Sequence, residues 1–303
     1  MLHVHLLGAP YLLWDEEPLT IARRIPRAIL YYLAAEGRPI SRSNLQDHFW
    51  PEVSDRVGRS RLRDNLAKLR NALPDPDSIE TIGETVLLSP EKAWVDLLEF
   101  NDLLEDIGRL PWQLSASKPL PATTYHNLTK ASKLWRGPGF LSGFNWPESP
   151  SLDNWQRTQE AKIQHHLLHI LNRLIEHETA VGNLEQLIVW VLMALQLNNL
   201  DEDLHYLLLK TYLDLNRRSD ARKHYYEIEA LYQKEFSSEL PEPIRLLKDR
   251  ISDTQPIKKV GQPVGWSTHA SVHTPFVGRS EIIDQIDKFC STATGVVIFG
   301  EAG

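Results

Sequence analysis

The hydrophobic period of the chain changes near residue 95, and that change restricts its fold more than any other feature. Before it, short alternating runs are broken by Gly and Pro; after it, apolar residues recur at helical spacing from Val95 to Ile251. In the first part, Leu2, Val4 and Leu6 face one way and His3 and His5 the other, and Gly8-Ala9-Pro10 separates this run from a second one over Tyr11 to Trp14. Asp15 to Pro18 reads as a turn and Leu19-Thr20-Ile21 as a third strand. Three helices follow. The first carries Ile29, Leu30, Leu33 and Ala34 and stops at Gly37-Arg38-Pro39; the second opens at Ser41 as N-cap and closes before Pro51; Asp55 is the expected cap of the third. Leu62, Leu66, Leu69 and Leu73 give that third helix one apolar stripe, which anchors it on the other two. Ile79 to Ile82 and Thr85 to Leu88, joined by Gly83-Glu84, close the series as a β-hairpin.

Strands, three helices and a hairpin are the order of a winged helix-turn-helix. The expected fold is mostly α with a small β part: this unit over residues 1–98, followed by an all-helical, tetratricopeptide-like domain over residues 99–254. The comparison with tetratricopeptide repeats rests on Gly182-Asn183-Leu184 and Asn216-Arg217-Arg218, equivalent turn-into-helix positions one thirty-four-residue period apart. Helix pairs of this kind bury their apolar faces by stacking, which leaves a surface suited to holding another protein. Residues 255–275, rich in Pro, Gly, Ser, Thr and Lys, read as a linker. Residues 276–303 read as the start of a further domain, in which Val296 to Phe299 precede Gly300-Glu301-Ala302-Gly303, the first half of a phosphate-binding loop. Gly300 and Gly303 are not followed by the lysine and hydroxyl that hold phosphates and magnesium, so neither nucleotide hydrolysis nor a bound cofactor is expected of these 303 residues.

No apolar run reaches the roughly 18 residues of a membrane-span candidate, and the first residues lack the pattern of a signal peptide, so a cytoplasmic protein without membrane contact is expected. A single cysteine, Cys290, excludes an internal disulfide and a cysteine zinc site. The formal net charge of -7 argues against a nucleic-acid binder until the charges are located. From Arg56 to Arg70 six basic residues stand against Asp64 alone.

With the leucine stripe turned inward, the third helix places Ser60, Arg61, Asp64, Lys68 and Asn71 on its outer half, with Arg59, Arg63 and Arg70 flanking the buried seam. Arg61 and Lys68 can donate to guanine O6 and N7, Asp64 can accept from cytosine N4, and Asn65 at the margin can reach adenine. That mixture of donors and acceptors is what major-groove readout needs. Ser60, Arg63, Arg70 and Asn71 are placed for phosphates, which give affinity without sequence information. The competing reading is a solvated basic helix with Asp64 paired to Arg61 and Lys68. At the hairpin tip Glu84 is an acid where such hairpins often carry a base, leaving Thr81 and Thr85 as its phosphate ligands. Elsewhere, His165 with His169 could share a metal, but no third ligand is near and no metal site is expected. Trp135, Trp146 and Trp155 read as packing under an irregular loop, and Asp75 with Asp77 as turn chemistry.

Phe49-Trp50-Pro51, the Arg-rich helix ending in Lys68-Leu69-Arg70-Asn71-Ala72-Leu73, the hairpin, Trp94-Val95-Asp96 with Phe100, and Trp135-Arg136-Gly137-Pro138 before Phe140-Leu141 resemble the Streptomyces antibiotic regulatory protein family over roughly residues 1 to 251. The resemblance implies an OmpR/PhoB-type winged helix followed by a bacterial transcriptional activation domain. With Phe276-Val277-Gly278-Arg279, it further implies a large member whose AAA/STAND-type ATPase, with ATP and Mg, follows in a longer chain. By the same resemblance the protein activates transcription, pairs as a homodimer on direct repeats of double-stranded DNA, and contacts RNA polymerase and its sigma factor. A second reading makes it a protein-interaction or sensor module whose winged helix serves only for docking. Exposure of Arg61 and Lys68 separates the two.

Overall fold

Strand β1 (Leu2–His5) lies at the centre of a four-stranded sheet in the order β3-β2-β1-β7, antiparallel to β2 (Tyr11–Trp14) and parallel to β7 (Ala93–Val95). The structure, a computed structural model, describes residues 1–108, 119–146 and 149–252. The calls on the linker 255–275, on Cys290 and on the half phosphate loop with Gly300 and Gly303 lie outside the described residues. Alternation puts Leu2, Val4 and Leu6 in the core, as the sequence requires. The third strand differs from expectation. Asp15 and Glu16 adopt φ of 46° and 71°, a two-residue hairpin turn, so β3 is Glu17–Leu19 and Pro18 pairs with Leu13 inside the sheet.

Helix α1 (Arg24–Glu36) buries Ile29, Leu30, Leu33 and Ala34, and ends at Gly37, whose left-handed φ of 60° lets its N–H return to Leu33 O. A two-residue strand, β4 (Ile40–Ser41), leads into α2 (Arg42–Phe49), with Ser41 accepting from Asn44 N at 3.1 Å as N-cap. The N-cap position of helix α3 (Asp55–Ala72) falls on Ser54, whose side chain makes no capping bond, and not on Asp55. The acid takes the first helical position instead, where the helix dipole favours it and where it pairs with Arg59 at 3.7 Å. A 3₁₀ turn (Pro76–Ser78) then delivers the hairpin, β5 (Ile79–Ile82) and β6 (Thr85–Leu88), which with β4 forms a second sheet in the order β4-β6-β5.

Strand β7 runs straight into α4 (Asp96–Gly108), and from here the protein is helical: α5 (Ala122–Leu134), the long α6 (Pro150–Val181), α7 (Leu184–Leu197), α8 (Glu202–Asp214), α9 (Arg218–Phe236), α10 (Glu242–Arg245) and α11 (Leu247–Ser252). The chain is mostly α with a small β part. Gly182 and Asn216 both take left-handed φ, of 75° and 57°, and each opens a helix two residues on, α7 and α9, which keeps the thirty-four-residue spacing.

Residues 1–252 form one compact unit, held across residue 98 by the irregular segment 135–146. Leu141 N and Arg136 N donate to the carbonyls of Leu6 and Leu7, and Ser142 N donates to Gly8 O. Gly8 is required there: at φ 136°, an added Cβ would stand 3.0 Å from Gly137 O. The Asp96 carboxylate, 1% exposed, accepts from Leu6 N and Leu7 N and pairs with Arg136 at 2.9 Å. Trp155 and Tyr32 pack at 4.8 Å, Trp155 Nε1 donates to Glu36 at 2.8 Å, and His48 Nδ1 meets Ser151 Oγ at 2.7 Å. The helical part therefore rests on α1 and α2.

Between α8 and α9, His205 Nε2 donates to Asn199 O at 2.9 Å, so its Nδ1 accepts from His224 Nε2 at 3.1 Å. Burial first, and the neighbouring His205 second, lower the His224 pKa to about 4. Above pH 6.5 the imidazole is neutral in both folded and unfolded chains, and its stabilising geometry is fully present. As pH falls from 6.5 toward about 4 the unfolded chain takes up a proton that the folded one refuses, so stability declines through that window. The unfolding free energy in urea should drop between pH 7.5 and 5, by an amount of order 1–3 kcal/mol from His224, and His224→Gln should remove that share of the decline. Equal free energies for the native protein at the two pH values would contradict this.

Candidate nucleic-acid interface

The inner side of α3 buries Leu62, Leu66, Leu69 and Leu73 against α1 and α2. Gly58 extends the stripe by one turn toward the N-terminus. It is buried where α2 crosses, and a Cβ there would meet Gln46 Oε1 at 3.2 Å. That contact turns Ser60, Arg61, Asp64, Lys68 and Asn71 outward, all exposed, as the helical angles require, with Asn65 half-buried at the margin.

The outward side chains are not equivalent. Asp64 pairs with Arg63 at 3.8 Å rather than with Arg61 or Lys68, and among the described residues neither of these two cations has an ion pair. Asn65 Nδ2 donates back to Arg61 O at 2.8 Å, so bidentate contact with adenine requires that bond to open. Arg70 turns to the hairpin. Its Nε and Nη2 donate to Ile79 O at 3.2 and 3.1 Å, and Nη2 also donates to Thr81 Oγ1 at 2.8 Å, fixing β5 to the end of α3. Thr85 Oγ1 donates to Ile82 O at 2.8 Å and closes the hairpin turn. Of the expected phosphate ligands, Arg70 and Thr85 thus hold the hairpin itself, while Ser60, Arg63 and Asn71 stand on the open face.

Depressions flank α3 on both sides. On the hairpin side Arg42, Arg56, Arg59 and Arg63 are interspersed with Asp47, Asp55 and Glu84. On the α1 side Arg61 and Lys68 are joined by Arg23, Arg24 and Trp50. Arg23, Arg24 and Arg42 escaped the sequence reading because they belong to other elements. The doublet at the start of α1 and the arginine at the first position of α2 were the available signals.

The aromatic segment keeps this face clear. Arg24 reaches across to donate to Asn145 O at 2.9 Å and to Trp146 O, while Trp146 packs edge-on against Phe49 and Trp155. These tryptophans are interior packing, with the Trp146 indole N–H held by Gln156, and they leave α3 uncovered.

The bacterial transcriptional activator domain family matches residues 95–252, which is more than half of the sequence. The chain belongs to that family. Among solved structures, this activator-domain protein is similar to Mycobacterium tuberculosis EmbR in complex with a low affinity phosphopeptide, with a TM-score of 0.54 and 20% identity over 82% of this chain. The likeness is one of fold, and it spans 64% of the EmbR chain. No curated protein matches the sequence. The mostly helical architecture with an N-terminal β part is common to both structures.

The competing chemical sites resolve into structure. Among the described residues of this family member no cluster of His, Cys, Asp and Glu could hold a metal ion. Burial first, then the neighbouring His165 and His169, lowers the His166 pKa. Asp75 accepts from Asp77 N at 2.9 Å and pairs with Lys92 at 3.0 Å, which holds its carboxyl below the ordinary range. That is turn chemistry. No helix among the described residues is long and apolar enough to cross a membrane.

Proposed function

We propose that the chain is a sequence-specific DNA-binding transcription activator of the OmpR/PhoB-type winged-helix class, with α3 entering the major groove. The observation that carries this reading is the pair Arg61 and Lys68, two exposed cations of α3 that have no ion pair among the described residues. They donate to guanine O6 and N7, Asp64 accepts from cytosine N4 once Arg63 moves to a phosphate, and Asn65 reads adenine. Ser60, Arg63 and Asn71 contact phosphates. Arg70 and Thr85 support the hairpin, and reach a phosphate only with the donor atoms their hairpin bonds leave over.

Residues 1–98 act as the reader, and residues 99–254, the tetratricopeptide-like part, as the contact surface for RNA polymerase, its sigma factor and a second protomer on a direct repeat of duplex DNA. The acidic remainder of the molecule, in a chain of formal net charge -7, repels DNA and makes the positive face decide orientation. The alternative, a docking or sensor module without DNA affinity, is less favoured because the helical part rests on α1 and α2 and not on α3. Selection from a random duplex pool, followed by fluorescence anisotropy at two salt concentrations, tests the proposal. A selected duplex whose affinity falls steeply with salt is expected. Retention of no duplex at low salt rejects DNA binding and leaves the docking reading.

A further inference from the structure

The cations around α3 fall into two chemically different sets. On the hairpin side, Arg59 and Arg63 are paired with Asp55 and Asp64, while Arg42 and Arg56 have no ion pair among the described residues but share the groove with Asp47, Asp55 and Glu84. A phosphate entering there meets carboxylates as well as guanidinium groups. On the α1 side, among the described residues, no Asp or Glu lines the depression and its cations Arg23, Arg61 and Lys68 have no ion pair. Like charges gathered without counter-charges raise the local positive potential. Arg24, also in this depression, is engaged by the carbonyls of residues 145 and 146. Arg23 is exposed and its side chain makes no hydrogen bond among the described residues.

Arg23 and Lys68 border the same cleft twice: they line the part beside Trp50 and Arg61, and the continuation beside Thr20, Ile21 and Asn71. Arg23 is therefore next to Lys68 but belongs to the residue before α1, off the axis of the reading helix. We propose that the carboxylate-free cleft between α3 and the start of α1 takes the phosphodiester backbone of duplex DNA, with Arg23 as its phosphate ligand beside the base-reading Lys68. The inference rests on the DNA-binding function proposed above and extends its footprint to a residue outside the helix-turn-helix and hairpin. A guanidinium suits the position because its fork can engage two phosphate oxygens together. Backbone contact carries no sequence information, so Arg23 contributes affinity and register alone.

The test is anisotropy with two fluorescent duplexes of about 30 base pairs, one recovered by the native chain from a random pool and one of scrambled sequence, across a salt series. Arg23→Gln should weaken both duplexes alike, by about fivefold, and lower the slope of log affinity against log salt by about one. Arg222→Gln, which removes the same charge from the exposed face of α9, should behave as the native chain. Thermal melts of both variants check that folding is intact. Unchanged affinity and slope in Arg23→Gln overturns the inference, as does a loss confined to the selected duplex, or an equal loss in Arg222→Gln. These outcomes differ from failure of the native chain to bind either duplex, which removes the function itself and the inference with it.

Discussion

Asp96→Ala is expected to destabilise the protein by about 2–5 kcal/mol, chiefly the cost of leaving two buried backbone donors without an acceptor. The carboxylate is 1% exposed, and it collects three donors from two distant parts of the chain: Leu6 N, Leu7 N and the Arg136 guanidinium. Its loss leaves two backbone N–H groups of the first β-segment without an acceptor, and an arginine that lies 4.8 Å over the Tyr11 ring without its counter-ion. Burial pushes the Asp96 carboxyl up, while the Leu7 and Leu6 N–H groups and Arg136 pull it down. Asp96→Asn keeps an acceptor oxygen and sheds the charge, so it should lose less than Asp96→Ala. Arg136→Met should also lose less, since Asp96 retains its backbone donors. Urea unfolding of the three variants provides the ranking, and a loss under about 1 kcal/mol for Asp96→Ala would remove the pair from its role in joining the sheet to the helical part.

That joint explains what was legible in the sequence and what was not. The leucine stripe of α3 was legible because a helix repeats its buried face every three or four residues, and the outward positions of Arg61, Asp64 and Lys68 follow from the same angles. Gly58 was not, since a glycine carries no hydrophobic signal even where it is buried closely under Gln46. The turn at Asp15 and Glu16 was read two residues too long, because two acids in left-handed conformation replace the Asn and Gly that mark such turns. Strands β4 and β7 are two and three residues long and show no alternation. Partnerships between distant residues leave no periodic trace at all. Asp96 and Arg136 stood out only within the motifs Trp94-Val95-Asp96 and Trp135-Arg136-Gly137-Pro138, and the structure links those two motifs physically: the buried Asp96 carboxylate pairs with the Arg136 guanidinium. Arg70 shows the opposite case, where residue type and helical angle pointed to a phosphate but proximity to β5 decided the contact.

Replacing Arg61 and Lys68 of α3 should change what the protein reads, not merely how tightly it binds. Arg61→Ala and Lys68→Ala are each expected to cost about 1–3 kcal/mol at their own base pairs and little elsewhere in the site. The two side chains are seven residues apart, about 10 Å along the helix, so their effects should add, giving roughly 2–6 kcal/mol for the double variant against the native operator. Folding should be unaffected, because both side chains are exposed and neither holds a neighbour in place. Arg63→Ala provides the contrast: its guanidinium is shared with Asp64 and placed for a phosphate, so its removal should weaken all sequences alike by less. Binding-site selection repeated with each variant decides the matter. Relaxed preference at one distinct position for Arg61→Ala and at another for Lys68→Ala, with the rest of the logo intact, is the expected pattern. An unchanged logo in both would move base readout off this face of α3, and the groove between α3, α2 and the hairpin, with its mixed arginines and carboxylates, would become the surface to test.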